Sequence, residues 1–328
     1  MSFVAVRALI DRDDVVHLFW GEVAGESISD TTGGTGATQL WTMKVTEQSS
    51  SEPRLLFASK LVRWDQTTSE QLVFAGDKGT LHVLIPGRRQ PTEHPFVLMS
   101  LANGEWTHET VYAGRIVVPE SVSGIARDGE VFVVFTSPVT GNGYAKFGSV
   151  FFSRRRASDA QWTNAELLQA RIGGSAKQPV ISAAPNGDVR VFWLQHIDSD
   201  DLFEVSRIRG VELDRVEAKV RQRIEFASPT NLLSIRSVWT DPCGRTNLHL
   251  VTGDVGDRSG AYTFSWDGSR WTSDGPYSHQ FWFAGRSSIS IGEDNVIRRL
   301  WSAVFFGPGL PVVTFWWEST RRLVVPTR

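Results

Sequence analysis

Short apolar runs bounded by Gly, Asn, Asp or Pro recur along the whole chain, and within them the hydrophobic positions alternate or run continuously for five or six residues. A period of two, or a short continuous run, predicts strands rather than helices. The clearest runs are Val15-Val16-His17-Leu18-Phe19-Trp20, Leu81 to Ile85, Val131 to Phe135, Val189 to Trp193, Leu248 to Val251 and Ile297 to Trp301. Turn signals precede them, among them Asp77-Lys78-Gly79, Arg127-Asp128-Gly129 and Pro185-Asn186-Gly187. Each run is therefore predicted to be the second arm of a hairpin. The stretch from Val205 to Phe226, whose charges could follow a helical spacing, is read as two strands with a turn near Leu213-Asp214-Arg215.

Equivalent positions in the six runs, His17, His82, Phe132, Arg190, His249 and Arg298, are 65, 50, 58, 59 and 49 residues apart. A period of about 56 divides the chain into six units, a spacing that suits four-stranded propeller blades. Within a unit the strands are taken as A to D. In the third, A lies near Ser121 to Ala126, B covers Val131 to Thr136, C covers Ser149 to Arg154, and D opens at Gln161-Trp162-Thr163. The same opening recurs as Glu105-Trp106-Thr107 and Arg270-Trp271-Thr272. The expectation is an all-β chain, a six-bladed β-propeller with four-stranded antiparallel blades, filling residues 1–328 as one domain. Its blades fall near 1–59, 60–114, 115–170, 171–224, 225–277 and 278–328, and the last closes with a D strand at 321–325, so that no strand is exchanged with the first.

Composition sharpens this picture by exclusion. Hydrophobic residues at 41% and charged residues at 21% are those of a folded globular protein, and 13 Trp and 19 Phe suit sheets buried on both faces. A net charge of −2 supplies no basic field for a nucleic-acid backbone. The single cysteine, Cys243, excludes an intrachain disulfide framework and a Cys-rich zinc site. The first ten residues read as a strand and not as a signal peptide, and no apolar run reaches the roughly 20 residues of a membrane span. A soluble, cytoplasmic protein without membrane insertion is expected.

The order of turn, apolar B strand ending in Trp or Phe, variable loop, C strand, and hairpin leading to Trp-Thr resembles the sialidase-like propellers with bacterial neuraminidase repeats. Their Asp-box hairpin, Ser-x-Asp-x-Gly-x-x-Trp, has shortened counterparts in Ser265-Trp266-Asp267-Gly268-Ser269-Arg270-Trp271 and Ser100-Leu101-Ala102-Asn103-Gly104-Glu105-Trp106. The resemblance implies three arginines on a substrate carboxylate, a Tyr–Glu nucleophile pair and an Asp acid or base. Arg7 stands in the first strand without the family's aromatic-Arg-Ile-Pro motif, while Gly114-Arg115-Ile116-Val117-Val118-Pro119 is similar to it but lies a blade late. Tyr277 is late enough to match the tyrosine, with Glu225 as a partner, but neither has a local motif. The catalytic set is accordingly not carried over, and catalytic residues are assigned to none. Six-bladed fucose-binding lectins offer a second comparison, but their Arg, Glu and aromatic triad does not repeat here.

In such a ring the D-to-A connections and B-to-C loops share one face, where ligands sit. Four of the five connections carry an arginine: Arg63, beside Trp64 and Asp65, then Arg115, Arg171 and Arg286. They form either a cationic rim for an anionic ligand or a set of structural ion pairs between blades. Tyr277, with Trp282 in the aromatic run Phe281-Trp282-Phe283, suits a sugar face or a protein anchor, or else packs over the closure seam. His17, His82 and His249 occupy one position in different blades, too far apart to share a metal ion, and are read as satisfied between sheets. Asp198, Asp200 and Asp201 lack the Gly and Glu of a calcium loop. Residues 31–36, Gly-rich but without a following Lys-Ser, read as a loop and not a phosphate cradle. Arg154-Arg155-Arg156 reads as an exposed strand tip.

No metal or cofactor is implied. The resulting expectation is a non-catalytic recognition module that binds a glycan or protein partner through Arg63, Trp64, Asp65, Arg115, Arg171, Tyr277, Trp282 and Arg286. The alternatives are a sialidase-like exo-glycosidase and a structural scaffold subunit.

Overall fold

Hairpins dominate the chain, because each apolar run is preceded by a turn that only tight antiparallel pairing accommodates. The computed structural model describes residues 3–11, 13–22, 39–58, 70–76, 79–86, 96–112, 121–138, 148–159, 161–169, 174–184, 186–197, 205–227, 232–241, 243–252, 261–277, 284–291, 297–305 and 312–320. At several strand ends, and beyond Ser273, it describes the backbone path alone. The chain divides into two compact units, Met1–Leu167 and Leu168–Arg328.

Every sheet is antiparallel with its strands in chain order. The first holds β1 (Phe3–Ile10), β2 (Val16–Glu22), β3 (Gln39–Val45) and β4 (Arg54–Ala58). The second holds β5 (Val73–Ala75), β6 (Leu81–Ile85), β7 (Phe96–Ala102) and β8 (Glu105–Tyr112). The third holds β9 (Ser121–Arg127), β10 (Glu130–Pro138), β11 (Gly148–Arg155) and β12 (Glu166–Gln169). The fourth is β13 (Gly174–Ala183), β14 (Val189–Ile197), β15 (Val205–Leu213) and β16 (Val220–Ala227). The fifth is β17 (Leu232–Thr240), β18 (Thr246–Thr252), β19 (Ala261–Trp266) and β20 (Trp271–Tyr277). The sixth has three described strands, β21 (Ala284–Ile291), β22 (Ile297–Phe305) and β23 (Val312–Thr320). Its expected fourth strand, at 321–325, lies outside the described residues.

One turn design recurs between first and second strands. Asp11, Gly76, Ala184 and Asp241 each donate their N–H to the carbonyl four residues on, at 2.7–2.9 Å. In each loop the fourth residue, Asp14, Gly79, Gly187 or Gly244, has a positive φ of 58–87°. This is the three-residue hairpin loop in which a left-handed residue returns the chain to the sheet. The third sheet instead uses two residues, Asp128 and Gly129, both left-handed. Asn103-Gly104 repeats that solution between β7 and β8.

Packing explains the aromatic load. All five residues of β6 are buried, as expected of a strand covered on both faces. In the first unit Leu9, Phe19 and Leu40 join Leu81, Val83, Ile85 and Phe96 in one apolar cluster that reaches Val131, Val133 and Phe135 of β10. In the second unit Phe192, Leu194, Ile208 and Ile224 cluster with Ile235, Leu248, Leu250 and Phe264. The Trp that opens an outer strand packs back onto the preceding sheet: Trp106 meets Phe19 edge-on at 6.2 Å, and Trp271 meets Phe192 at 5.7 Å and Phe226 at 5.3 Å.

Trp162 departs from this rule. The outer strand of the third sheet begins at Glu166 and not at Gln161, because the Thr163 hydroxyl accepts the Arg154 N–H at 3.0 Å and the Ser153 hydroxyl donates to the Thr163 carbonyl at 2.8 Å. These side-chain bonds join a backbone bond from the Thr163 N–H to the Arg154 carbonyl at 2.8 Å, and Trp162 lies under the Arg155 guanidinium, 5.9 Å from ring centre to cation. Val205 to Phe226 forms β15 and β16, joined by the turn at 214–219, as the charge pattern left open. Among the described residues no helix is long and apolar enough to cross a membrane.

Candidate functional site: the loop end of the sheets

Strand direction gives every sheet two unlike ends. One end carries the tight turns from first to second and from third to fourth strand. At the other, here the loop end, second strands leave for third strands and one sheet leaves for the next. The first strands lie side by side within each unit, β1 against β5 against β9, and β13 against β17 against β21. They are rich in small polar residues: Ser121 and Ser123 on β9, and Ser234 and Ser237 on β17, are all buried.

Carboxylates at the turn end are engaged. Asp11 accepts the backbone N–H groups of Asp13 and Val15 at 2.9 Å and a bond from His17 at 2.7 Å. Burial alone would raise its carboxyl pKa, but the His17 and backbone bonds outweigh that and lower it. Asp188, buried, takes Arg221 at 2.5 Å and Asn186 at 2.7 Å. Glu212 takes Arg190 at 2.6 Å, and the same guanidinium donates to the Gly244 carbonyl and the Thr246 hydroxyl of the next sheet. Asp214 and Asp267 each cap the turn that follows them by accepting two backbone N–H groups.

Glu22 is different. It closes β2 at the loop end, paired with Phe3 on β1 and Gln39 on β3, and is only 8% exposed. Among acids with described side chains, it alone stands at the loop end on the two innermost strands of a sheet. It belongs to none of the ion pairs found among the described residues. The counterpart position on β14, five residues past the reference Arg190, is Gln195, buried and accepting the Trp193 indole N–H at 3.3 Å. Arg7 is buried on β1 opposite Phe19, just after a break in register at Val4. Alternation places it on the face of the hairpin opposite to Glu22.

Most residues expected to bind ligand, namely Arg63, Trp64, Asp65, Arg115, Arg171 and Trp282, lie outside the described residues. Tyr277 ends β20 at the loop end, its backbone opposite Ala261. Arg286 falls within the irregularity of β21 between Ala284 and Ser287, at the same end of the next sheet. Asp198, Asp200, Asp201 and residues 31–36 also lie outside.

No family model and no curated protein matches the sequence. Solved structures do. A Dyadobacter fermentans protein of unknown function matches with a TM-score of 0.60 and 11% identity, over 97% of this chain and 93% of that one. The α-L-arabinanase of Penicillium chrysogenum, solved with arabinobiose, gives 0.58 and 13% over 96% and 93%. The Hadza microbial sialidase Hz136 gives 0.54 and 11% over 92% and 63%. A Fusarium graminearum α-L-arabinofuranosidase and two polysaccharide lyases are also similar. At this identity the likeness is one of fold: the chain shares its all-β fold with these proteins.

Several residues are placed otherwise than the sequence led one to expect. His17 and His82 find their partners inside their own sheets, Asp11 and Ser100, the latter at 2.9 Å. His82 also stacks on Phe74 at 5.2 Å, and burial, aided by Arg155, pushes its pKa down to about 4. The arginine run is not an exposed tip: Arg154 is buried and Arg155 is bonded to Glu109 of β8, so only Arg156 is exposed. Glu225, suggested as the partner of Tyr277, bonds Arg207 and Arg209 on an outer strand. Among the described residues no group of three or more His, Cys, Asp or Glu is arranged to hold a metal ion. Sequence reasoning missed Glu22; the signal was an acid two residues beyond the Trp20 that ends the apolar run, on the same face of the strand as Trp20.

Proposed function

We propose that the six sheets close into one six-bladed ring over residues 1–328 and that the protein cleaves glycosidic bonds at the loop end, with Glu22 as one of its working carboxylates. Glu22 carries this reading. A carboxylate mostly shielded from water, in none of the ion pairs found among the described residues, can serve as a proton donor or acceptor to a bound substrate. Glycoside hydrolysis ordinarily needs two such groups, about 5–9.5 Å apart, and Glu22 supplies one. The similarity to an arabinanase, an arabinofuranosidase and a sialidase supports cleavage over recognition alone. Tyr277 and Arg286 reach the same end by strand order, and Arg63, Trp64, Asp65, Arg115, Arg171 and Trp282, in the connections, complete the glycan-binding rim. The hairpins at 100–106 and 265–271 are shortened Asp boxes that serve the scaffold. Asp267 already caps its turn as such a box would.

The test is a panel of aryl glycosides, arabinan and sialosides, read for reducing ends and for the absorbance of unsaturated lyase products. Reducing ends that vanish with Glu22→Gln are expected. Glycan binding without turnover would restore the non-catalytic module, and unsaturated products would replace hydrolysis by elimination.

A further inference from the structure

The fourth sheet carries a cationic strip on its outer pair of strands. Arg207 and Arg209 stand two residues apart on β15, hence on one face, and cross-strand pairing puts Glu225 opposite Arg209 and Arg223 opposite Val211 on that same face. Two of these guanidinium groups, those of Arg207 and Arg209, share the Glu225 carboxylate. Elsewhere Arg221 has both Asp188 and Asp214, while Arg155, Arg190, Arg245 and Arg270 each pair with one acid.

Glu225 holds its two partners loosely, at 3.2 Å from Arg207 and 3.5 Å from Arg209, against about 2.7–2.9 Å for a tight charge-assisted bond. The side chains are reachable: Arg207 is 41% exposed, Arg209 29% and Glu225 52%. The Nε of Arg207 and of Arg209 is buried, so the donors open to an incoming anion are those of the terminal NH groups not bonded to Glu225. Two arginines at i and i+2 are spaced about 6.6–6.8 Å along a strand. Both guanidinium groups nevertheless turn onto one oxygen, Glu225 Oε1, so the anionic groups of a ligand would compete with that carboxylate.

We propose that this strip of β15 and β16 is an accessory binding surface for an anionic polysaccharide, one bearing uronate carboxylates or sulfate esters. It rests on the reading of the protein as carbohydrate-active and deepens it by naming the charge of the polymer. The strip lies on the two outer strands of the fourth sheet. The carboxylate and the sulfate are recognised by the same planar donor fork.

Affinity electrophoresis in gels containing polygalacturonate, chondroitin sulfate, neutral arabinan or polyglutamate tests the idea, with Arg207→Gln/Arg209→Gln and, as a control at the turn end, Arg245→Gln. The wild type and the control should be retarded by the two anionic polysaccharides at low salt and not by arabinan, and the double variant should lose that retardation at least fivefold with an unchanged Tm. Equal retardation of the double variant, or none of the wild type, overturns the proposal. Retardation by polyglutamate in preference to the polysaccharides overturns it in favour of an acidic protein partner. These readouts involve no turnover, so a failure of glycoside cleavage is scored separately.

Discussion

Asp188 and Glu22 are the two carboxylates buried most deeply among the described side chains, 4% and 8% exposed, and they sit at opposite ends of their sheets. Asp188, at the turn end, is met by Arg221, by the Asn186 amide and by the Arg215 backbone N–H. Glu22, at the loop end, has a strand on either side and belongs to none of the ion pairs found among the described residues. A buried acid costs several kcal/mol unless it is paired and hydrogen-bonded. At the turn end that cost is offset by the Arg221, Asn186 and Arg215 donors. The proposed role of Glu22 rests on this difference.

Amide substitution breaks the comparison most sharply at Glu22. Glu22→Gln keeps size and removes the proton-transfer group, so hydrolysis should fall about 10²–10⁴-fold, while Tm holds or rises because a buried charge is gone. Loss of Tm with retained turnover would reverse the assignment. Asp188→Ala should behave in the opposite way, leaving kcat unchanged and costing about 3 kcal/mol in urea unfolding, since Asn186, Arg215 and Arg221 lose their common acceptor.

His82 tests the turn end through pH. It sits one residue into β6, and its folded pKa of about 4 lies below the ordinary 6.5 because burial disfavours the cation and Arg155 adds repulsion. A depressed pKa means the folded form prefers the neutral ring. Its contribution is therefore complete above pH 6.5 and is lost as pH falls from there toward 4. Stability should drop by about 2 kcal/mol between pH 7.5 and 5. His82→Phe, measured by urea unfolding over the same range, should flatten that slope; an unchanged slope would assign it to other groups.

Much of the scaffold was legible because it rests on local chemistry. Gly and Asn or Asp at left-handed positions, as in Asp128-Gly129, and continuous apolar runs such as Leu81 to Ile85 report their own conformation. The Trp162 segment was misread because the Thr163 and Ser153 hydroxyls compete with the backbone for ladder bonds, a contest invisible in a Trp-Thr dipeptide. Arg154 was misread because alternation fixes only which face a residue takes, and its face is covered. The site was less legible still. Arginines in the connections stood out by recurrence, whereas Glu22 occurs once, and its distinction arises only when three strands and the end of the sheet are placed around it.

The smallest expected effect closes the comparison with an exposed acid at the turn end. The Asp267 carboxylate accepts the N–H groups of Ser269 at 2.8 Å and Arg270 at 2.9 Å, with the Ser269 hydroxyl and the Arg270 guanidinium added. The Arg270 and Ser269 N–H groups hold its carboxyl well below the usual carboxylate range. This contribution is present above about pH 4 and fades as the pH falls below it. An amide oxygen at the same place still accepts both N–H groups, so Asp267→Asn should lower Tm by less than Asp267→Ala, and each by about 2 °C or less in a scanning measurement. Neither should alter turnover. The same acid-to-amide exchange would then silence the protein at Glu22 and scarcely register at Asp267, which is the behaviour that separates a proton donor from a turn cap; a loss of turnover at Asp267 would erase the distinction between the two ends.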